Sequence, residues 1–174
     1  MKTRVKVLLF CVTALCFIGC DRVTKDLAKK HLMDKPTISY FHDTFRLLYV
    51  ENTGAALGLG DDLPKTLNFW LLSILPLVFL GGLFFYTIKK SKQASLTTML
   101  AVSLVFAGGV GNIIDRLLYD RHVPDFLNIG INNFRTGIFN IADVCVTTGF
   151  IVLILFYRKS RGEPSIVNRE TGED

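Results

Sequence analysis

Two aspartates are the residues of this chain best suited to chemistry in an apolar setting. Asp125 lies in a segment with the sequence His122-Val123-Pro124-Asp125-Phe126-Leu127, and Asp143 is the only charged residue of the apolar run 136–157. An aspartate well inside a membrane span costs roughly 2.5–3.5 kcal/mol, so such a residue is a functional candidate. Two carboxyl groups held close together share a proton, which leaves one a base and the other an acid. Such a pair can hydrolyse an amide with water, whereas Asp125 taken alone is typical of a solvated loop.

Polar residues at helical spacing accompany the two aspartates. Asn140 lies one turn before Asp143 and can hold one of its carboxylate oxygens by a hydrogen bond. Asn112, Asp115 and Arg116 share one helical face, so this carboxylate and guanidinium can pair. The second group is explained equally well as an anchor at the membrane rim or as part of a catalytic site.

The sequence does not indicate another kind of catalytic machinery. Its serines lack a nucleophile-elbow setting, and its histidines form no metal-binding pair at helical spacing. A metal held by His122, Asp125 and Asp143 is an alternative that we do not favour, and we expect neither a metal nor a cofactor. Cys11, Cys16, Cys20 and Cys145 have no metal-site spacing, so we expect small buried apolar residues.

Charge-free stretches predict the elements that must position these residues. At about 1.5 Å per residue, 20 or so apolar residues cross a hydrocarbon core of roughly 30 Å. Residues 7–20 alone are too short, but the helical pattern continues through Asp21 and Lys25, which can pair one turn apart. We predict an all-α membrane protein with four transmembrane helices and a small extracytoplasmic β element, the spans covering about 7–28, 66–88, 93–116 and 136–157.

Basic residues predict the orientation of the spans. Lys and Arg concentrate on cytoplasmic connections, so three clusters place both termini in the cytoplasm: Lys2, Arg4 and Lys6; Lys89, Lys90 and Lys92; Arg158, Lys159 and Arg161. The connections 21–65 and 115–135 then face outward. In the first, residues 37–42 and 45–50 are rich in β-branched and aromatic residues around Asp43-Thr44, which predicts a hairpin. We expect one domain, 1–157, and a disordered cytoplasmic tail, 158–174.

Composition excludes several other classes of protein. Half of the residues are hydrophobic, and the formal charge of +5 comes from short clusters beside apolar runs, so a nucleic-acid surface is not indicated. The glycines of 107–116 lie inside a span, which favours close helix packing over nucleotide binding. The segment Phe17-Ile18-Gly19-Cys20 is similar to a bacterial lipoprotein signal, but the later spans and the Asp21/Lys25 pair favour an uncleaved helix.

Five blocks of the chain, in order, resemble the lipoprotein signal peptidase family, signal peptidase II. The resemblance runs from about Val7 to Tyr157 and rests on Asp21-Arg22-Val23-Thr24-Lys25, Asn52-Thr53-Gly54-Ala55-Ala56, Gly108 through Arg116, Val123 through Phe126, and Phe139-Asn140-Ile141-Ala142-Asp143. Two positions depart from the family pattern, which often has an aliphatic residue at Pro124 and an aromatic residue at Leu57.

The resemblance implies an aspartic endopeptidase of the bacterial inner membrane. Its substrate would be a diacylglyceryl-modified prolipoprotein, cut before the lipidated cysteine on the extracytoplasmic side, and its catalytic residues would be Asp125 and Asp143. We expect a monomer in contact with membrane lipids, with no nucleic-acid partner. Residues implied around the site are Asp21, Lys25, Asn52, Gly54, Asn112, Arg116 and Asn140, to which the shared helical face adds Asp115.

A transporter or proton pathway is the alternative from a different class, because intramembrane acids such as Asp143 often mark one. The missing inverted repeats and the unbroken spans count against it. A scaffold without chemistry would leave the buried acid unexplained.

Overall fold

Long apolar helices make up most of the chain in the computed structural model, which describes residues 1–55 and 58–160, with the backbone alone for 157–160. Three of them are long and apolar enough to cross a membrane, with mean hydropathies of 1.7 to 2.2. The helices are α1 (Thr3–Leu32), α2 (Lys65–Phe69) joined through a π-helical turn (Trp70–Ile74) to α3 (Leu75–Lys90), α4 (Leu96–Leu118) and α5 (Ile141–Ser160). Large apolar side chains such as Leu15, Val78 and Phe85 are more than 60% exposed, as lipid-facing residues are.

The second long helix, Lys65–Lys90, is not regular along its whole length. A π-helical turn precedes Pro76, which lies in the first turn of α3. A proline ring clashes with the carbonyl four residues earlier in a regular α-helix, and a wider turn relieves that clash. The helix is nevertheless continuous from Lys65 to Lys90, as expected for an unbroken span.

Helix α4 lies at the centre of the bundle and packs against α1, α3 and α5. Its glycines permit this packing. A Cβ on Gly108 would overlap the carbonyl oxygen of Ala142 in α5, and a Cβ on Gly111 would lie 2.7 Å from Oδ2 of Asp21 in α1. Close approach through small residues, predicted from the sequence, is confirmed at both positions.

An antiparallel sheet of four strands lies beside the helices. The strands β1 (Ile38–Tyr40), β2 (Phe45–Asn52), β3 (Val123–Ile131) and β4 (Phe134–Arg135) are hydrogen-bonded in that order. The predicted hairpin is confirmed as β1 and β2. Asp125, predicted on a loop, is in β3 opposite Val50, and Pro124 and Gly130 had obscured this strand because both residues are unfavourable in strands.

Helix α5 begins later than the sequence suggested. Residues 136–140 lie outside the helix, and Phe139 pairs with Leu127 of β3. Asp143 therefore lies in the first turn of α5 and not well inside a span. Residues 158–160, assigned to a disordered tail, continue α5, while 161–174 are outside the described residues.

The cysteines only partly match their predicted burial. Cys145 is buried and Cys11 is half-buried, but Cys16 and Cys20 are exposed on α1. The two exposed thiols lie on a helix surface of apolar side chains that includes Val12 and Leu15. Their apolar neighbours in sequence therefore indicated a lipid-facing surface and not the protein core.

Candidate active site

Asp125 is held in β3 between two asparagine amides. Asn52, at the end of the neighbouring strand β2, donates from Nδ2 to Oδ2 of Asp125 at 3.0 Å, and Asn140 donates from Nδ2 to Oδ1 at 2.6 Å. Asp125 is 2% exposed. A buried carboxylate requires such partners, so its position is set by the register of the sheet and by the segment that leads into α5.

Asp143 and Asn140 cap the start of α5 reciprocally. The backbone N–H of Asn140 donates to Oδ2 of Asp143 at 3.0 Å, and the backbone N–H of Asp143 donates to Oδ1 of Asn140 at 3.1 Å. This is the geometry of a capping box, in which two helix N-terminal N–H groups are satisfied together. A carboxylate in the first turn is also favoured by the helix dipole.

Asn140 thus binds both predicted catalytic residues. It donates to Asp125 from its side chain and to Asp143 from its backbone. Both carboxyl groups line one cavity of about 610 Å³. The sequence predicted that Asn140 holds a carboxylate oxygen of Asp143. Its backbone N–H makes that bond, whereas its side-chain amide binds Asp125.

The cavity combines the two acids with an apolar wall. Besides the carboxyl groups and the asparagines 52, 112 and 140, its lining includes Arg116, Phe139, Val144 and Val146. Ala56 and Leu57, the latter a departure from the family pattern, are outside the described residues. The other departure, Pro124, lies in β3 opposite Glu51.

The surroundings of Asp125 alter its acidity. Burial raises the pKa of Asp125 from 3.8 to about 6, and the charge of Asp143 acts in the same direction. The hydrogen bonds from Asn52 and Asn140 favour the ionised form and limit that rise. A carboxyl group with a pKa near 6 can accept or release a proton close to neutral pH, which suits general acid–base catalysis.

Each of the three asparagines of the site is oriented by a hydrogen bond that its side-chain oxygen accepts. Oδ1 of Asn52 accepts from the backbone N–H of Gly54, and Oδ1 of Asn112 accepts from Nζ of Lys25. Oδ1 of Asn140 accepts from the backbone N–H of Asp143. An amide whose oxygen accepts a bond must present its NH₂ group elsewhere. In each case that NH₂ group donates to a predicted catalytic carboxylate, including Asn112 to Asp143 at 2.9 Å.

Lys25 is the centre of a buried network of charges behind the cavity. Its ammonium donates to Oδ2 of Asp21 at 2.7 Å and to Oδ2 of Asp115 at 2.6 Å, with side-chain exposures of 4% or less. The predicted Asp21/Lys25 pair is therefore confirmed. Asp21 in turn accepts from the N–H of Ala142 at 2.9 Å, so this network also binds the start of α5.

The predicted pairing of Asp115 with Arg116 is wrong. Asp115 binds Lys25 and Nη1 of Arg22, the latter at 2.5 Å. Arg22 was not singled out from the sequence, although it lies in the block 21–25 that was. It also pairs with Asp26, four residues later on α1, at 3.3 Å. An arginine within a predicted spanning helix was the available signal.

Arg116 binds the segment that follows β2. It donates from Nη2 to the carbonyl of Gly54 at 2.7 Å and from Nη1 to the carbonyl of Asn112 at 3.3 Å. A Cβ on Gly54 would lie 2.6 Å from the backbone of Gly58, so the tight turn here requires glycine.

All ten residues predicted for the site lie in the cavity lining or are linked to it by hydrogen bonds.

The metal alternative is not supported by the geometry. Within the described ranges, no three His, Cys, Asp or Glu side chains are close enough to hold a metal ion. His122, proposed as a ligand with the two aspartates, lies with Nδ1 2.9 Å from the carbonyl oxygen of Tyr119.

Fold and site together define a multi-pass membrane protein with two carboxyl groups on one cavity. The sequence profile of the family Signal peptidase (SPase) II matches residues 13–158. The chain belongs to the signal peptidase II family, and it is a protease.

Individual relatives agree with the family profile. A lipoprotein signal peptidase of Sulfurihydrogenibium sp. (strain YO3AOP1) is 36% identical over 90% of this chain and 96% of its own length. That of Clostridium tetani (strain Massachusetts / E88) is 40% identical over 82% and 87%. A bacterial membrane enzyme solved by the in meso method at 2.3 Å resolution aligns with a TM-score of 0.75 and 28% identity, covering 91% of this chain and 92% of the other.

Proposed function

We propose that this protease removes the signal peptide from diacylglyceryl-modified prolipoproteins, cutting before the lipidated cysteine, with Asp125 and Asp143 as its catalytic residues. The observation that carries the proposal is that one residue, Asn140, binds both carboxyl groups at the edge of a common cavity. Family membership supports the substrate class. The position of both acids on one cavity supports the aspartic mechanism, in which such a pair shares a proton.

In the proposed reaction, the ionised aspartate takes a proton from a water molecule as that water attacks the scissile carbonyl. The protonated aspartate donates to the carbonyl oxygen, which gives a neutral tetrahedral intermediate. Its collapse breaks the C–N bond, with one proton delivered to the departing cysteine nitrogen. Asp125 is the candidate acid because burial raises its pKa. The proposed reaction needs no cofactor.

Residues other than the two acids would hold the dyad in place. Asn52 and Asn140 fix Asp125, while Asn112 fixes Asp143. The buried charges of Asp21, Lys25 and Asp115 would set the orientation of Asn112 and the position of α5. Arg116 and Gly54 would shape the side of the cavity formed by the segment after β2.

The membrane placement of the site follows from the same proposal. With 20 residues, α5 reaches about 30 Å and would be the fourth span. Both termini would be cytoplasmic, and the sheet and cavity would face the extracytoplasmic side of the bacterial inner membrane, with 1–157 as one domain. Val144 and Val146 form an apolar wall of the cavity, beside which the acyl chains of the substrate would remain in lipid. The protein would act as a monomer.

A cleavage assay tests the proposed reaction directly. The purified protein in detergent would be given one prolipoprotein in two forms, with and without the diacylglyceryl group, and the products would be weighed by mass spectrometry. We expect cleavage of the lipidated form immediately before the modified cysteine. Cleavage at another bond, or equal cleavage of the unlipidated form, would contradict the assignment of substrate.

A further inference from the structure

A second cavity, of about 350 Å³, lies between the start of α2 and the end of α4. Three cationic side chains and one acidic side chain line it: Lys65, Arg116, Arg121 and Asp120. The formal charge of these four groups is therefore positive. Lys65 and Asp120 form an ion pair at 2.6 Å, but both are 65% exposed, and exposed pairs of this kind are weak.

Both arginines have donors that make no hydrogen bond within the part of the chain that the structure describes. Nε and Nη1 of Arg121 and Nε of Arg116 are buried and lack a hydrogen-bond partner among the described residues. Most buried polar atoms in folded proteins are hydrogen-bonded, and unpaired donors on a charged group are especially costly. Guanidinium groups match the oxygens of a phosphate, which accepts several bonds at once.

The backbone at Asp120 and Arg121, which both line the cavity, has an unusual conformation. Asp120 and Arg121 both have positive φ angles, 49° and 76°, in the turn that follows α4. The N–H of Arg121 donates to the carbonyl of Arg116 at 2.9 Å. Two successive left-handed residues without glycine are costly, and such strain is often found where a ligand is clamped.

Apolar side chains surround the charged cavity. Phe69 and Leu117 line it, and Leu117 is 49% exposed. Trp70, which packs edge-on against Phe69 at 6.4 Å, is 57% exposed. Tryptophan is enriched where lipid headgroups meet acyl chains, so cations and apolar surface meet here as they would around a lipid headgroup.

We propose that this second cavity binds the phosphate of an anionic phospholipid, with Arg121 as its principal ligand and Leu117 and Trp70 beside the acyl chains. A soluble phosphate could satisfy the guanidinium groups but would leave the adjoining apolar surface unused. Arg116 lines both this cavity and the active-site cavity, so the bound lipid would lie next to the catalytic site. The inference does not depend on the protease reaction, because binding can be measured without a substrate.

Fluorescence quenching tests the lipid site, because Trp70 is the single tryptophan of the chain. The full-length protein would be reconstituted in phosphatidylcholine vesicles that contain either brominated phosphatidylglycerol or brominated phosphatidylcholine. We expect phosphatidylglycerol to be preferred about fivefold, the effect of one basic residue near the lipid. Arg121→Gln should remove most of this preference, and Lys65→Gln should reduce it, which gives a second variant if the first fails to fold.

The matched control is Lys30→Gln, an exposed residue near the end of α1, which removes the same charge and should keep the preference. Equal quenching by the two lipids, or an unchanged preference in both Arg121→Gln and Lys65→Gln, would overturn the proposal. Inorganic phosphate added against chloride at equal ionic strength should leave the preference intact. Loss of the preference would assign the cavity to a soluble phosphate and reject the lipid.

Discussion

The ammonium group of Lys25 donates a hydrogen bond of 2.9 Å to the side-chain oxygen of Asn112. The other two protons of the ammonium are directed to Asp21 and Asp115, so all of its donors are used. Because the oxygen of Asn112 accepts from Lys25, its NH₂ group faces Asp143. A buried lysine on α1 thus determines which atom of α4 meets a proposed catalytic residue on α5.

Lys25→Met should impair both stability and turnover. Methionine leaves Asp21 and Asp115 buried without their shared cation, and breaking a buried pair in this way costs about 3–5 kcal/mol. Freed from Lys25, Asn112 can turn its oxygen toward Asp143, so kcat should fall more than KM changes. Thermal unfolding in detergent and steady-state cleavage measure the two effects.

The control for this variant is Lys30→Met, on the exposed surface of the same helix. It should leave the unfolding midpoint and kcat close to those of the unsubstituted protein. An unaltered midpoint and kcat in Lys25→Met would show that the buried network does not position the site.

Gly108→Ala should separate α4 from α5. The added Cβ would overlap the carbonyl oxygen of Ala142, and overpacking of this kind typically costs about 1–3 kcal/mol. Because Ala142 precedes Asp143, we also expect lower activity. Gly81→Ala is the matched control, since no described atom outside the local helix lies within 4 Å of its Cβ, and its unfolding midpoint should stay the same or rise slightly. Similar unfolding midpoints and activities for both variants would argue against close packing at Gly108.

Asp125 should make stability depend on pH. Its pKa is raised from 3.8 to about 6, so the folded state binds more protons than the unfolded state between these values. Stability contributed by this group is therefore present below about pH 4 and is lost as the pH rises to about 6, by about 3 kcal/mol in total. Thermal unfolding from pH 4 to pH 7 should show this loss in the unsubstituted protein but not in Asp125→Asn.

The variant Asp143→Asn provides a second measurement of the same titration. The charge of Asp143 helps to raise the pKa of Asp125, so its removal should move the loss of stability to lower pH. Identical pH profiles of stability for the unsubstituted protein and both variants would show that Asp125 titrates normally.

The sequence identified the site residues better than it identified their backbone. Charge-free runs predicted the long helices, since length and hydropathy are local properties. Asp143 was placed too deep because the uncharged residues 136–139 extend the charge-free run of α5 toward the N-terminus, whereas Asn140 caps the helix and Phe139 pairs with Leu127. Hydropathy contains no information about that long-range pairing.

Partners within the site were predicted only where they are close in sequence. Asp21 and Lys25 are four residues apart on one helix, and their pairing was predicted correctly. Asp115 has an adjacent arginine, Arg116, yet its partners come from α1. Helical spacing shows which residues share a face, but only packing shows what that face meets.

Cleavage of a diacylglyceryl-modified prolipoprotein by Asp125→Asn and by Asp143→Asn, each purified in detergent, tests the central claim most directly. Each variant should lose at least about 100-fold in kcat, since proton transfer by a positioned group contributes about 10²–10⁴. Asp26→Asn, which alters an exposed aspartate on α1, should cleave normally, and thermal unfolding should confirm that all three variants are folded. Retained cleavage by either folded dyad variant would contradict the two-aspartate mechanism.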